Sequence, residues 1–533
     1  LKSWDEYRPL LKSEYEAREK AGKDTTAEKM LLDLLVHYEW LKAADRIGKA
    51  VQEEGGFFQV LPNPEDLSNG NDFLFLAGLA RVGGRTEEYF QSPLYMNGAY
   101  YRFPYFRDRT ADGTETGIVL EAGNGGNGKP YYTAETSLKL AYEVSLATQA
   151  DHLEGDFWWG FARPLAELAK EPLHRDRYGA ILAYGLGFGC AREAAKIERL
   201  KPDFLSLTSR RLFRPWGTDY RAWNWRLNTE FSPDRDLARL GYVFAGQGAE
   251  SLQEPDFSAK TVLFSAAPPT EAEWTRFTEL LTSGKIADGI VMAGTLRQKI
   301  DRTMRPAPFQ ELKPAGTVSG DLTDASGRAL AKSPRSTTLR EPPAGYRTEL
   351  LVGDRPAVVS RKVGKGTLHL LLFTPVRETL KEESPDAAAG DAVWSALLAK
   401  QGISPHWQSG SPIEARLYRG ADDVLLVSAM RHDRLEKAEN GIYPTEAPND
   451  ASLRIRLEPN RRYGVVTFPE LRRAAMESGA DGMAELKLGR SAYELFFVVP
   501  EEKADALAKR LAARAAEFRR AMTLDGRTEI PAR

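Results

Sequence analysis

Short apolar runs alternate with amphipathic stretches along the first two hundred residues. Residues 1–54 have the spacing of helix, and Gly55-Gly56 ends it. Further helices are expected over 71–88, 136–150 and 176–200. Four apolar runs between them predict strands: Phe57–Leu61, Tyr89–Met96, Lys129–Ala134 and Gly155–Trp159. Ile118-Val119-Leu120 is a shorter apolar run, which we expect inside a long loop. Alternating strands and helices indicate parallel β/α units, either half of an eight-fold barrel or part of a doubly wound sheet.

A second α/β pattern follows, and its character changes after residue 404. Its expected strands are 204–208, 261–264 and 290–292, its expected helices are 232–247, 270–283 and 388–401, and 305–350 is an insertion with short strands. Gly364-Lys365-Gly366 predicts a hairpin between Ala357–Arg361 and Thr367–Phe373. From about 405, short alternating strands predict a small β-sandwich, and a helix is expected over 501–524.

The length of the chain requires several domains. A single hydrophobic core stops growing at about 250–300 residues, and the chain has 533. The pattern divides it into 1–200, 201–404 and 405–533. The expected class is therefore α/β, with β/α units first, a second α/β domain next and a β-sandwich with a terminal helix last.

Composition excludes several classes of partner. The net charge is −2 and no long basic run occurs, so neither nucleic acid nor an anionic membrane is expected as a partner. No stretch approaches the roughly 18 apolar residues of a membrane span. The sequence begins at Leu1 and has no visible signal peptide. We expect a soluble protein, either cytoplasmic or exported after signal removal.

Neither a metal nor a cofactor is expected. The six histidines lack ligand spacing, and the single cysteine, Cys190, has no partner for an intrachain disulfide. Gly123–Gly128 matches G-x-G-x-x-G, but a dinucleotide site requires a helix directly after it, and here Lys129-Pro130 and an expected strand follow.

The segment Lys129–Thr136 carries the strongest chemical signal. It places Glu135 at the end of an expected strand, where β/α barrels hold catalytic groups. Trp158 and Trp159 end the next expected strand. A carboxylate facing an aromatic platform is what glycoside cleavage needs. Two interpretations stay open on these residues alone: Glu135 is catalytic, or it caps helix 136–150 while the tryptophans belong to the core.

The order of these features resembles the family 42 glycoside hydrolases, the β-galactosidases of a barrel clan with two catalytic glutamates. In that family the seventh barrel strand runs Lys-Pro to a nucleophilic Glu, which corresponds here to Lys129-Pro130 and Glu135. The resemblance implies substrate-binding roles for Tyr95, Tyr131, Trp158 and Trp159. It also implies that 1–200 is the C-terminal half of a (β/α)8 TIM barrel. Residues 201–404 then resemble an amidotransferase-like domain that forms trimers, so a homo-oligomer is expected.

The resemblance also exposes a gap, because the family's acid/base residue lies at the end of the fourth strand, before Leu1. We therefore expect a separate or missing chain to supply the N-terminal barrel half. Otherwise the second carboxylate comes from within the chain, where Glu65 and Glu121 are candidates that match no expected strand end. The predicted function is retaining hydrolysis of a β-linked, galactoside-like carbohydrate. The alternative is an inactive glycan-binding or scaffolding subunit with a glycosidase-like fold.

Overall fold

The computed structural model describes about half of the chain, mostly after residue 193. The described residues are 4–23, 32, 42–43, 46–51, 53–54, 59–60, 85–90, 116–121, 152–156, 193–196, 198–208, 234–265, 269, 271–293, 312–331, 337–373, 385–410, 413–431, 435–438, 441–444, 451–489, 493–521, 523–524 and 528–529.

The first described elements are a helix and a parallel sheet. Helix α1 spans Trp4–Lys20. The sheet joins four strands in chain order, each parallel to the next: β1 (Gln59–Val60), β2 (Arg85–Phe90), β3 (Thr116–Glu121) and β4 (His152–Asp156). Neighbouring parallel strands in chain order are what consecutive β/α units produce. The apolar run Ile118-Val119-Leu120, expected inside a loop, is the middle of β3.

After β5, a short strand that belongs to a different sheet, the next elements build the parallel part of a nine-stranded sheet. The elements are β5 (Glu198–Arg199), β6 (Phe204–Thr208), α2 (Asp234–Arg239), β7 (Phe244–Gly248), β8 (Ala259–Ser265), α3 (Glu271–Ser283) and β9 (Ile286–Met292). The order β9-β8-β6-β7 is parallel throughout.

The antiparallel part of this sheet follows. Its strands are β11 (Leu322–Asp324), β12 (Ala329–Ala331), β14 (Arg347–Val352), β15 (Arg355–Val363) and β16 (Gly366–Leu371), and helix α4 (Pro385–Lys400) comes after them. In the same stretch, β10 (Pro314–Val318) and β13 (Thr337–Arg340) pair with each other as a separate two-stranded sheet. β15 and β16 form the expected antiparallel hairpin, turning at Gly364 with a φ of 59°. β16 then pairs in parallel with β9 and so joins the two halves.

Both faces of the nine-stranded sheet are covered by apolar cores. Phe264 and Val291 face the core under α3, together with Phe277. Leu263 and Ile290 face the opposite core, whose largest member is Trp394 of α4. A sheet buried on both faces needs unbroken apolar runs, which explains the strands centred on Val262–Phe264 and Ile290–Met292.

Helix α2 is shorter than the helix expected over 232–247. It stops because Gly241 has a φ of 85°, and the amide N–H groups of Gly241 and Tyr242 donate to the carbonyls of Ala238 and Leu237. That pattern is the Schellman ending of a helix. An added Cβ at Gly241 would lie 2.1 Å from the carbonyl oxygen of Trp407, so only glycine fits there. The chain then enters β7.

The C-terminal part packs two sheets face to face. The remaining elements are β17 (Trp407–Gln408), β18 (Ile413–Arg419), β19 (Leu425–Arg431), β20 (Leu435–Ala438), β21 (Gly441–Pro444), β22 (Ala451–Arg456), β23 (Arg462–Phe468), β24 (Arg473–Glu477), β25 (Met483–Leu488), β26 (Tyr493–Pro500), α5 (Ala504–Ala521), β27 (Thr523–Leu524) and β28 (Thr528–Glu529).

One sheet has the order β17-β22-β25 and the other β24-β23-β26-β19-β18-β5. Side chains from both sheets, such as Ile455 and Phe496, share one apolar core. The other face of the six-stranded sheet is covered by α5 through Leu507, Leu511 and Phe518. The pairing of β5 with β18 brings residues 198–199 into this C-terminal sheet.

A network of charged side chains lies in the nine-stranded sheet where its parallel and antiparallel parts meet. His369 of β16 lies between two carboxylates: its Nδ1 is 3.2 Å from Oε2 of Glu349, and its Nε2 is 3.6 Å from Oδ1 of Asp288. Ser360 donates to Oε1 of Glu349 at 2.7 Å, and Nζ of Lys400 lies 3.5 Å from Oε2. His369 and Glu349 are both 5% exposed, so the contact is buried.

These contacts shift both pKa values in the direction that favours the charged pair. Burial opposes ionisation of Glu349, but His369, Ser360 and Lys400 outweigh it and lower its pKa to about 2. Burial also opposes protonation of His369, but Asp288 and Glu349 raise its pKa above the ordinary value. Glu349 contributes stability above its unfolded pKa of about 4.3, and His369 contributes below its unfolded pKa of about 6.5.

We expect the free energy of unfolding to decrease as the pH rises from about 6.5 towards the higher folded-state pKa of His369, because in that range the unfolded chain has released the proton that the folded state still holds. His369→Gln should remove this alkaline slope and cost about 3 kcal/mol at pH 6, since it leaves the buried carboxylate of Glu349 with only the longer contacts, at 3.5 Å, to Lys400 and Arg347. Denaturant unfolding at several pH values measures both effects.

The control is Arg454→Met, which breaks the exposed pair between Arg454 and Asp481 at 3.1 Å. It should cost under about 1 kcal/mol and leave the alkaline slope unchanged. An alkaline slope that persists in His369→Gln would contradict the assignment.

Gly289 of β9 allows α3 to approach the sheet. An added Cβ would lie 2.3 Å from Cζ of Phe277, which is fully buried. We expect Gly289→Ala to lower the free energy of unfolding by about 1–3 kcal/mol through overpacking. Adding Phe277→Leu should recover part of that loss because leucine lacks the clashing atom. Gly410→Ala, where nothing lies within 4 Å, should change stability by under about 0.5 kcal/mol in the same denaturant titration.

Candidate active site

The carboxyl edge of the four-stranded parallel sheet brings two acidic residues to neighbouring strand ends. Glu121 is the last residue of β3, and Asp156 is the last residue of β4. The two are register partners in the β3–β4 pair. Catalytic residues of β/α barrels come from the carboxyl ends of several strands, so this edge is the candidate site.

The local sequence explains why β3 ends at Glu121. Ile118-Val119-Leu120 supplies an apolar run with two β-branched residues, which favours a strand. Ala122-Gly123-Asn124-Gly125 follows at once, and paired glycines favour a turn over continued strand. The carboxylate therefore stands at the point where the chain leaves the sheet.

The backbone spacing is compatible with paired carboxylates. Neighbouring strands lie about 4.8 Å apart. In retaining glycosidases the two catalytic carboxyl groups lie about 5–5.5 Å apart, and in inverting enzymes they are further apart to admit a water molecule. Register partners at the ends of adjacent strands thus have a backbone separation near the retaining distance.

The third strand of this four-stranded sheet is not the segment that the sequence predicted for that place. The sequence assigned 129–134 to the place between the strands near 90 and 155. The structure puts Thr116–Glu121 there instead, hydrogen-bonded to β2 on one side and β4 on the other. The expectation that Glu121 matches no strand end was therefore wrong. The signal that could have found it is the carboxylate directly after three apolar residues, two of them β-branched.

The five predicted site residues lie outside the described residues. They are Glu135, Tyr95, Tyr131, Trp158 and Trp159. Glu135 and Tyr131 belong to the connection between β3 and β4, while Trp158 and Trp159 follow Asp156 closely in the chain. Glu65, the other candidate for a second carboxylate, also lies outside them.

The buried group around His369 does not form a catalytic arrangement. Ser360 donates to Glu349 rather than to the histidine, and the lowered pKa of Glu349, about 2, makes that carboxylate a poor base for activating a nucleophile. His369 is 4% exposed and Ser360 is fully buried, so a substrate does not reach them. The geometry supports a role in stability.

The described residues give two further findings about chemistry. In those parts of the chain, no three His, Cys, Asp or Glu side chains are grouped so as to hold a metal ion. No helix among the described residues is long and apolar enough to cross a membrane.

Comparisons with known proteins give structural likeness only. Neither a protein-family model nor a curated protein matches the sequence. An α-L-fucosidase (isoenzyme 2) from Paenibacillus thiaminolyticus is similar with a TM-score of 0.55 and 13% identity, covering 91% of this chain and 74% of that chain. A GH42 β-galactosidase from G. stearothermophilus is similar with a TM-score of 0.47 and 11% identity, covering 79% and 60%.

A β-galactosidase from Halorubrum lacusprofundi gives a TM-score of 0.47 at 11% identity, over 89% of this chain and 68% of that chain. The chain spans 60% of the length of the three β-galactosidases that head the structural matches. At 13% identity, the likeness to the fucosidase shows the fold alone. The chain therefore has a glycosidase-like fold, mixed α/β with large sheets.

Proposed function

We propose that this chain is a retaining glycoside hydrolase, or the larger part of one, acting on a β-linked, galactoside-like sugar. The observation that carries the proposal is the position of Glu121 and Asp156 at register-paired strand ends. The glycosidase-like fold supports the same reaction class. The sugar and the β linkage come from the resemblance to family 42 enzymes.

Two glutamates, Glu121 and Glu135, are candidates for the nucleophile. The resemblance to the family motif favours Glu135, whereas the strand-end position favours Glu121. We favour Glu121 because it ends a hydrogen-bonded parallel strand, the position at which β/α barrels hold catalytic residues. The nucleophile would attack the anomeric carbon and form a glycosyl-enzyme intermediate, which water then cleaves.

The second carboxylate also has two candidate sources. Asp156 is the candidate within this chain, and a chain that completes the barrel is the other. Four parallel strands make half of an eight-stranded barrel, so a complete barrel requires four more strands. The acid/base would protonate the leaving oxygen and afterwards remove a proton from water.

Aromatic residues near these strand ends complete the proposed site. Trp158 and Trp159 follow Asp156 and would stack on the apolar face of the sugar. Tyr95 would donate a hydrogen bond to the nucleophile, and Tyr131 would contact the substrate. A homo-oligomer, a trimer by family resemblance, stays part of the proposal.

Glu121→Gln should reduce kcat on an aryl β-galactoside by at least about 10³-fold, because the amide cannot form the covalent intermediate. If Glu121 is the nucleophile, Glu135→Gln should retain more than about a tenth of the activity. Steady-state kinetics of the two matched variants decide between them. The reverse result would assign the nucleophile to Glu135.

Azide should identify the role of each carboxylate. With Glu121→Ala, we expect azide to restore turnover and give a glycosyl azide of inverted configuration, because azide takes the place of the nucleophile. With Asp156→Ala, azide should give a product of retained configuration if Asp156 is the acid/base. NMR of the azide adducts reads the configuration.

Glu485→Ala on β25 is the control for both variants and should behave as wild type. Failure of azide with Asp156→Ala would direct the search for the acid/base to another chain. A wild-type protein that binds galactosides without turnover, even with a complementing barrel half, would instead favour the glycan-binding or scaffolding subunit.

A further inference from the structure

Strand β24 forms an open edge of the six-stranded sheet. It is the last strand in the order β24-β23-β26-β19-β18-β5, so one side of it has no strand partner in the described part of the chain. Arg473, Ala474, Ala475 and Glu477 are exposed, and Met476 is half-buried. The unpaired N–H and C=O groups of an exposed edge strand are a template for another strand.

The edge carries two charged side chains, Arg473 and Glu477, but it has neither the prolines nor the bulges that also block strand addition. Residues 473–477 contain no proline and pair with β23 without a register shift, from Arg462 opposite Glu477 to Val466 opposite Arg473. Natural edges are protected by prolines, bulges or very short strands. The opposite edge of the same sheet, β5, has only two residues.

The sequence of β24 is complementary to itself in the antiparallel direction. Pairing two copies about Ala475 places Arg473 of one copy opposite Glu477 of the other, twice. Ala474 then lies opposite Met476, so no like charges meet. Opposite charges directly across an antiparallel pair stabilise it, and like charges destabilise it.

The alternate positions of β24, Arg473, Ala475 and Glu477, lie on the sheet face that carries α5. Arg473 is opposite Val466, which belongs to the core under α5, and Ala475 and Glu477 follow at strand period. Arg473 forms an ion pair with Asp505 in the first turn of α5, which fixes the arginine on this face. A two-fold axis perpendicular to the sheet keeps α5 of both copies on the same face.

We propose that β24 is a docking edge for the β24 strand of a second copy of this chain, forming one continuous antiparallel sheet across a two-fold axis. A two-fold interface uses the same surface patch on both subunits, as this strand does. The proposal is independent of the glycosidase site, and it differs from the trimer that the family resemblance implies.

Charge reversal tests the pairing. Arg473→Glu and Glu477→Arg should each weaken self-association of the full chain by about tenfold or more, because each sets two like-charged pairs across the interface. The double variant Arg473→Glu/Glu477→Arg restores opposite charges and should restore the dimer. Sedimentation velocity over a range of concentrations measures the dissociation constant.

Mixing the two single variants gives a second readout. One variant carries two carboxylates at the edge and the other two guanidinium groups, so equal amounts should form a heterodimer through β24 although each alone self-associates at least about tenfold more weakly than the wild type. Arg454→Glu, a charge reversal on β22, should self-associate as wild type does. Because Arg473→Glu also loses the ion pair with Asp505, the folding of each variant is checked by its far-UV circular dichroism, which should match that of the wild type.

A wild-type chain that stays monomeric at all concentrations overturns the proposal. So does an oligomer, trimeric or dimeric, whose dissociation constant is unchanged in both single variants.

Discussion

The pairing of parallel strands is the constraint on which this structure depends. A parallel pair needs a long crossover between its strands, and the crossovers place covering elements on both faces of a sheet. In the nine-stranded sheet this is visible as two apolar cores, one containing Phe277 of α3 and the other Trp394 of α4. The same geometry makes all the parallel strands of one sheet end at one edge. Chemistry is therefore concentrated at strand ends, and strand interiors are used for packing.

The nine-stranded sheet shows that an ionisable group in a strand interior needs oppositely charged partners. His369 sits at the boundary between the parallel and antiparallel halves, and its charge is tolerated only because carboxylates on β14 and β9 face its two nitrogens. Glu349, Ser360 and His369 are buried in contact with one another, so a substrate does not reach them. Glu121 and Asp156 differ because each is the last residue before the chain leaves its strand.

The pattern of apolar residues predicted most of the elements after residue 200. The strands at 204–208 and 261–264, helix 270–283 and the hairpin turn at Gly364 lie where the sequence places them. Local signals suffice there because a buried strand must be apolar and a turn with positive φ requires glycine. The helix expected over 232–247 was too long, since its apolar period continues past Gly241. The contact with Trp407, distant in the chain, is what makes that glycine obligatory.

For the candidate site as well, the sequence predicted one part and only the tertiary structure decided the rest. Sequence alone singled out the carboxylates Glu121 and Glu135 and the tryptophans Trp158 and Trp159, and it determined the α/β alternation around them. Only the tertiary structure decided that residues 116–121 fill the place in the sheet assigned to 129–134, and that Glu121 and Asp156 are register partners. The physical reason is that strand order and register are set by hydrogen bonds between segments far apart in the chain, which no local pattern of residues encodes.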